Sequence, residues 1–348
     1  MTEQASAARF ARHDLAARLA DEERLAPAAT RSAVSRGRAR PEEPDAWRTP
    51  FQVDRDRILH SKAFRRLKHK TQVFLGGQGA ATSDHVVTRL THALQVTQVA
   101  RALAQGLGLN EPLAEAIALG HDVGHSPFGH TGEEVLDAFA PDGWHHAAQS
   151  VRIYQTLEDR NLTWEVRDGI RAHSWHIEPG PATPEGQCVR FADRIAYLSH
   201  DTLDAVRARV LRPGELPAEV RLAFGEPGGR WVGIMVEAVL DHSNRTGVFA
   251  VPPEVAAVMA HLREFLFARV YRSPQTAGDQ AAAARIVRQL VEYHLEHPDA
   301  IPRTYHDTLA DPLTQTLDFV AGMTDRYAVT LHQRLTDQAN SGHAGAAG

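Results

Sequence analysis

Four side chains with metal-binding chemistry stand out along the 348 residues: His92, the adjacent pair His121 and Asp122, and Asp193. Two imidazoles and two carboxylates make a mixed nitrogen and oxygen set. Such a set suits a divalent first-row metal, with positions left open for water and a phosphate oxygen. No thiolate joins them, so a structural zinc site is not the reading. An HD dipeptide alone says little, because such pairs are often incidental surface residues. The order His, His-Asp, Asp on separate helical segments is far more specific. Histidines are also unevenly placed: of 20, seven fall between His85 and His146 and five of those between His121 and His146.

Those residues need elements to position them. Val86 to Leu107 carries Val86, Leu90, Ala93, Leu94, Val96, Ala100, Leu103 and Leu107 at helical spacing, which predicts an amphipathic helix bearing His92. Gly106 and Gly108 punctuate its end. Pro112 opens a second helix that runs on through Leu119. Neighbouring helical residues diverge by about 100°. His121 and Asp122 therefore reach one ion only if that helix ends with them, and Gly124 permits it. Four glycines and a proline make GHDVGHSPFGHTGEE (120–134) a functional loop leading into a helix at Glu133–Phe139. Further helices are expected at Ala147–Leu157, Trp164–Ala172, Gln187–Ala208, Pro217–Phe224, Trp231–His242, Pro253–Tyr271, Ala277–His297 and Leu313–Gln338. Period-2 alternation is rare, so the predicted fold class is all-α. Residues 1–50 read as an N-terminal arm, with a helix at Leu15–Leu25 and an irregular stretch over 31–50. Residues 51–210 form the core, 211–338 add helices to the same domain, 76–84 (GGQGAATSD) is a loop, and 339–348 is a disordered tail.

Composition narrows the function classes. Hydrophobic residues make up 43% and charged residues 23%, ordinary for a globular protein. The net charge of −5 argues against a dedicated nucleic-acid binder, although the Arg-rich arm leaves a local patch possible. The single cysteine, Cys188, excludes a disulfide framework, reads as a small buried residue and favours a cytoplasmic setting. No apolar run approaches the ~18–20 residues of a membrane span, and no signal peptide is evident.

Strings along much of the chain carry a resemblance: SRGR (35–38), RTPFQVDRDRILHSKAFRRLKHKTQVF (48–74), TRLTHALQV (88–96), GHDVGHSPFGHTGEE (120–134), HHAAQS (145–150) and FADRIAYLSHDTLDA (191–205). With the metal-capable set, these resemble the HD superfamily of metal-dependent phosphohydrolases, in its deoxyguanosine triphosphate triphosphohydrolase-like branch. The resemblance implies an all-helical HD fold. It also implies hydrolysis of a deoxynucleoside triphosphate at the α-phosphate, giving a deoxynucleoside and intact triphosphate. His92, His121, Asp122 and Asp193 would be the ligands of a divalent ion, Mg²⁺, Mn²⁺ or Co²⁺, with iron as an option. His125, His130 and Glu133 follow in the glycine-rich loop. His130 and Glu133 are three residues apart, so the carboxylate can orient the imidazole across one turn. His130 is then an acid for the departing 5′-oxygen or a base for the water.

His125 and His146 would contact phosphate oxygens. Here the sequence departs from the family's usual HNAQS: His146 keeps the aligned histidine, Ala147 replaces asparagine, and His145 competes for the role. Of the basic run Arg55, Arg57, Lys62, Arg65, Arg66, Lys68 and Lys70, most fit a solvated helix face. Arg57, with Gln72 and Arg89, sits where the family builds its substrate pocket. Asp193, Tyr197 and Asp201, spaced by four, share one helical stripe. Tyr197 would lie against the sugar and exclude a 2′-hydroxyl, and Asp201 would accept from the 3′-hydroxyl. The alternative is that Tyr197 is core and Asp201 caps a turn. The expected partners are the deoxynucleoside triphosphate and further copies of the chain, with a nucleotide effector possible, nucleic acid left open and no membrane. Rival readings are another HD phosphohydrolase, such as a phosphomonoesterase or cyclic-nucleotide phosphodiesterase, and a non-catalytic metal- or nucleotide-sensing module.

Overall fold

Helix starts follow capping chemistry written in the sequence. Asp14 caps α1 (Leu15–Glu22). Thr49 and Gln52 cap each other's backbone at the start of α2 (Pro50–Leu59), whose first residue is proline. Ser61 caps α3 (Lys62–Arg66), Thr88 caps α4 (Arg89–Gly106) and Asn110 caps α5 (Glu111–Gly120). Then come α6 (His130–Phe139), α7 (His146–Arg152), α8 (Trp164–Ala172) and α9 (Pro184–Arg207), the last capped by Thr183. The rest are α10 (Ala218–Phe224), α11 (Arg230–Thr246), α12 (Pro253–Leu266), α13 (Ala277–Glu296), α14 (Pro312–Ala321) and α15 (Asp325–Gly345). Single π-helical turns extend α7 over Ile153–Leu157 and α12 over Phe267–Tyr271.

The computed structural model describes residues 12–72, 87–272, 274, 276–306 and 309–345. Among these the fold is all-α, and the β-type pairings are two isolated bridges, Arg38 with Thr163 and Thr71 with Thr88. No helix among the described residues is long and apolar enough to cross a membrane. The expected loop at 76–84, together with Val73 and His85, lies outside the described residues.

The larger core sits between α4, α5 and α9, where Val96, Leu103, Leu113, Ile117, Val189 and Ile195 are fully buried. Phe51 and Ile58 lay α2 over α5, and Val166 and Ile170 bring α8 onto α5 and α9. Two glycines set how closely α5 and α8 approach. A Cβ on Gly120 would stand 2.6 Å from Ile170 Cδ1, and one on Gly169 would stand 2.4 Å from Ile117 Cδ1. The C-terminal ends of these helices therefore lie against each other. A smaller core joins α6 to α13, α14 and α15 through Leu136, Val287, Leu290, Val291 and Val320.

Buried polar ties link the two cores across the glycine-rich loop. The fully buried Lys70 ammonium donates to the carbonyls of His125 and Ala321. Burial pushes its pKa well below that of an ordinary lysine. Asp325 accepts from the backbone N–H of Thr71 and of Phe128, each at 2.9 Å.

Two expectations are corrected. The segment Leu313–Gln338 is two helices, because the chain turns at Gly322–Thr324. A Cβ on Gly322 would lie 2.4 Å from the Tyr305 hydroxyl, and Thr324 Oγ1 accepts from Tyr327 N–H to begin α15. Apolar spacing runs through that turn, with Val320, Met323 and Ala328 all buried, so the sequence reads as continuous. Residues 339–345, expected to be disordered, extend α15; helix propagation adds one hydrogen bond per residue once a helix exists. The stretch 31–50 is irregular as expected, with a 3-10 turn at Ser32–Val34, and is held by side-chain ties: Ser35 Oγ and Arg36 N–H donate to Glu165, and Arg38 pairs with the buried Asp54.

Candidate metal centre and substrate cleft

The four metal-capable residues converge. His92 projects from the first turn of α4, His121 and Asp122 directly follow α5, and Asp193 lies within α9. His92 Nε2 is 3.0 Å from Asp193 Oδ1, and His121 Nε2 is 3.5 Å from Asp122 Oδ1 and 4.0 Å from Asp193 Oδ1. His121 Nδ1 faces the Ala118 carbonyl at 2.6 Å. A carbonyl only accepts, so Nδ1 carries the proton and Nε2 keeps its lone pair. That Nε2 is buried without a hydrogen-bond partner. Leaving such an atom unsatisfied costs about 1–3 kcal/mol; a divalent cation among these donors would satisfy it, so the residues fit a metal. Burial alone would raise both carboxyl pKa values. His92 and His121 instead hold Asp193 at about 2, and His121, His125 and Arg89 hold Asp122 well below the usual range. Arg89, buried beside the centre, donates to Asp122 Oδ2 at 2.8 Å.

Behind this centre stands a second group of imidazoles around Glu133. His146 Nδ1 is 3.0 and 3.1 Å from the two Glu133 oxygens. His130 Nδ1 and His125 Nδ1 approach the same carboxylate at 3.6 and 3.7 Å. The expected pairing of His130 with Glu133 is thus present at longer range, and the shortest contact belongs to His146. Burial disfavours charge on His146, but Glu133 outweighs it and raises its pKa. His125 stacks on His146 with ring centroids 3.9 Å apart; burial and Arg89 lower its pKa well below the normal value. His130 is 67% exposed on the first turn of α6, which starts three residues earlier than expected. His145 caps α7 by accepting from Ala147 N–H, so its Nδ1 is occupied; burial and His146 push its pKa to about 4. Gly124 permits this assembly, since a Cβ there would lie 2.3 Å from both His146 O and Ser150 N.

At the metal end, a further imidazole escaped sequence reasoning. His173 follows α8 as His121 follows α5, with Nδ1 2.7 Å from the Ile170 carbonyl and Nε2 3.3 Å from His146 Nε2. Its ring lies edge-on to His121 with centroids 4.9 Å apart, a consequence of the close α5–α8 approach. Burial and the neighbouring His121 and His146 hold its pKa at about 3. The signal was available, because RAHS repeats the placement of LGHD at a helix end.

All of these side chains but His121 line a cleft of about 560 Å³ that continues past Gln72, Tyr197 and Asp201 to Arg194, Arg263, Tyr271 and Trp175. Tyr197 and Asp201 follow Asp193 along α9, as their spacing predicts. Asp201 is buried, accepts from Tyr271 Oη at 2.6 Å, and has its pKa raised by burial to about 6. Tyr271 reaches the cleft from the π turn after α12, and Arg194 packs over Trp175 at 3.7 Å. Sequence reasoning named none of Tyr271, Arg194, Arg263 and Trp175. Arg57, expected in the pocket, is not among the residues lining it. Its guanidinium donates to the carbonyls of Arg160 and Asn161 and to Glu42, holding the arm. The rest of the basic run also stays out of the cleft: Arg55 pairs with Asp56 and Glu115, and Arg66 meets Tyr305.

Comparison with known proteins agrees with this geometry. The HD domain family matches residues 89–198, which hold all four metal-capable residues, and the phosphohydrolase-associated domain family matches residues 249–334. A deoxyguanosinetriphosphate triphosphohydrolase-like protein of Caldanaerobacter subterraneus subsp. tengcongensis is 46% identical, over 89% of this chain and 92% of its own length. Proteins of the same description from Desulfatibacillum aliphaticivorans and Clostridium perfringens are 43% and 41% identical, over 89% and 84% of this chain and 94% and 88% of their own lengths. The chain is an HD-type phosphohydrolase and belongs to the deoxyguanosinetriphosphate triphosphohydrolase-like family.

Proposed function

We propose that the protein hydrolyses deoxynucleoside triphosphates to a deoxynucleoside and intact triphosphate. The observation that carries this reading is the single stripe of α9: Asp193 at the metal-capable cluster, then Tyr197 and Asp201, all lining one cleft. That stripe offers a place for phosphate at one end and for a sugar at the other. His92, His121, Asp122 and Asp193 would hold a divalent cation, with Mg²⁺, Mn²⁺ or Co²⁺ the first ions to try. When bound, the metal polarises a phosphate oxygen and makes a bound water more acidic. Arg89, Arg194 and Arg263 line the cleft and offset the roughly four negative charges of a triphosphate. Water adds to the α-phosphorus and the bond to the 5′-oxygen breaks, so that oxygen must gain a proton. His130, with Glu133 behind it and the open cleft before it, supplies that proton. His125 and His146 form the wall against the phosphates. Tyr197 closes the space a 2′-hydroxyl would need, and Asp201 accepts from the 3′-hydroxyl.

The test is incubation with each deoxynucleoside triphosphate and its ribonucleotide under Mg²⁺, Mn²⁺ and Co²⁺, followed by chromatography. The expected products are deoxynucleoside and triphosphate in equal amounts, with ribonucleotides strongly disfavoured. Stepwise release of orthophosphate, or cleavage of monoesters or cyclic nucleotides alone, would move the protein to another HD phosphohydrolase reaction. Nucleotide binding without turnover under every metal would make it a sensing module.

A further inference from the structure

We propose that Asp325, the first residue of α15, is a positioning residue for the proton transfer assigned to His130. The inference rests on that assignment and deepens it. The start of α6 is unlike the starts of the helices before it. Asp14, Thr49, Ser61, Thr88 and Asn110 each supply a side-chain cap that fixes where α1 to α5 begin. Gly129 stands at the N-cap of α6 and makes no such bond. His130 comes next. Its Nδ1 is 3.6 Å from Glu133, beyond ordinary hydrogen-bond length. The backbone that carries His130 therefore sets where its imidazole stands.

That backbone is held in an unfavourable conformation. Phe128 has a φ of 62° and Gly129 a φ of 59°, both left-handed. Glycine adopts such a value freely, and phenylalanine does not. A strained turn persists only where its surroundings over-determine it. Within the loop, Ser126 Oγ donates to the Gly129 carbonyl at 2.9 Å. The other ties come from far along the chain. Asp325 Oδ1 accepts from Phe128 N–H and Oδ2 from Thr71 N–H, each at 2.9 Å. Lys70, next to Thr71, donates to the carbonyls of His125 and Ala321, and its own carbonyl accepts from Arg89 N–H at 3.0 Å. The turn between α14 and α15 thus bears directly on the residue two before His130. Asp325 is not among the residues lining the cleft, so its influence on the chemistry passes through this loop. Without its carboxylate, Phe128 relaxes towards negative φ and swings the start of α6. His130 then leaves its line to the departing 5′-oxygen, while His92 on α4 and Asp193 on α9 keep their places.

The experiment compares kcat on a deoxynucleoside triphosphate with kcat on its analogue bearing sulfur in place of the 5′-oxygen. A thiolate leaves without first gaining a proton, so the analogue depends far less on an acid. His130→Ala is the reference, with a large loss on the oxygen substrate and a small one on the sulfur substrate. Asp325→Ala removes both acceptors. It should lose roughly 10–100-fold with oxygen and less than about threefold with sulfur, with KM and bound Mn²⁺ as in wild type. Asp325→Asn keeps one acceptor oxygen and should show the same selectivity at smaller size. Partial unfolding lowers both rates by one factor and cannot produce that difference. Equal losses on the two substrates in Asp325→Ala, or no loss on either, overturn the proposal and leave the role of His130 standing. Equal losses in His130→Ala remove that role and the proposal with it.

Discussion

At the metal end of the cleft, imidazoles lean on partners close in sequence: His121 on Ala118, His173 on Ile170 and His146 on Glu133. At the sugar end the tie spans the chain, with Asp201 of α9 meeting Tyr271 after α12, 70 residues later. The first arrangement comes with the ends of helices already packed in the larger core. The second depends on where α12 docks. A lost side chain at the metal end therefore removes chemistry, whereas a lost one at the sugar end loosens recognition.

The largest effect is expected from His121→Ala or Asp122→Ala, which remove donors to the cation. Turnover should vanish and bound metal fall. Unchanged metal content with full activity in both variants would break the contrast between the two ends. Next comes His130→Ala, expected to lower kcat by roughly 10²–10⁴-fold with metal retained, as for loss of a general acid or base. A wild-type rate would pass the proton role to His125 or His146.

At the sugar end, Asp201→Ala should cost about 1.5–3 kcal/mol in kcat/KM for deoxy- and ribonucleotides alike, since both carry the 3′-hydroxyl. Tyr197→Ala should leave the deoxynucleotide rate closer to wild type while narrowing the deoxy-to-ribo ratio. An unchanged ratio would return Tyr197 to a packing role.

The smallest effect concerns pH. Burial raises the Asp201 pKa to about 6, and the Tyr271 hydrogen bond favours its ionised form. As pH falls through about 6 the carboxylate gains a proton and loses acceptor capacity, so kcat/KM should fall. Tyr271→Phe removes the bond that opposes protonation and should move this acid limb to higher pH. A limb that stays in place would show that Asp201 does not set it.

Much of this was legible because helical periodicity and capping are local. Pro112 announced a helix start, and the HD pair before Gly124 announced a helix end with metal chemistry. Spacing by four placed Asp193, Tyr197 and Asp201 on one stripe. Arg57 shows the limit: its charge was visible, but not that Glu42 and two carbonyls would take it up.

The sequence by itself determined the helices, their caps and the types of the metal-capable residues, because each depends on neighbours within a turn or two. Only the tertiary structure decided which helix ends meet. The interlock of Gly120 with Ile170 and of Gly169 with Ile117 sets His173 beside His121. Lys70 and Asp325 pin the glycine-rich loop from opposite ends of the chain. The π turn after α12 carries Tyr271 to Asp201. These contacts join residues that no local pattern relates, and they follow from how closely buried surfaces can pack.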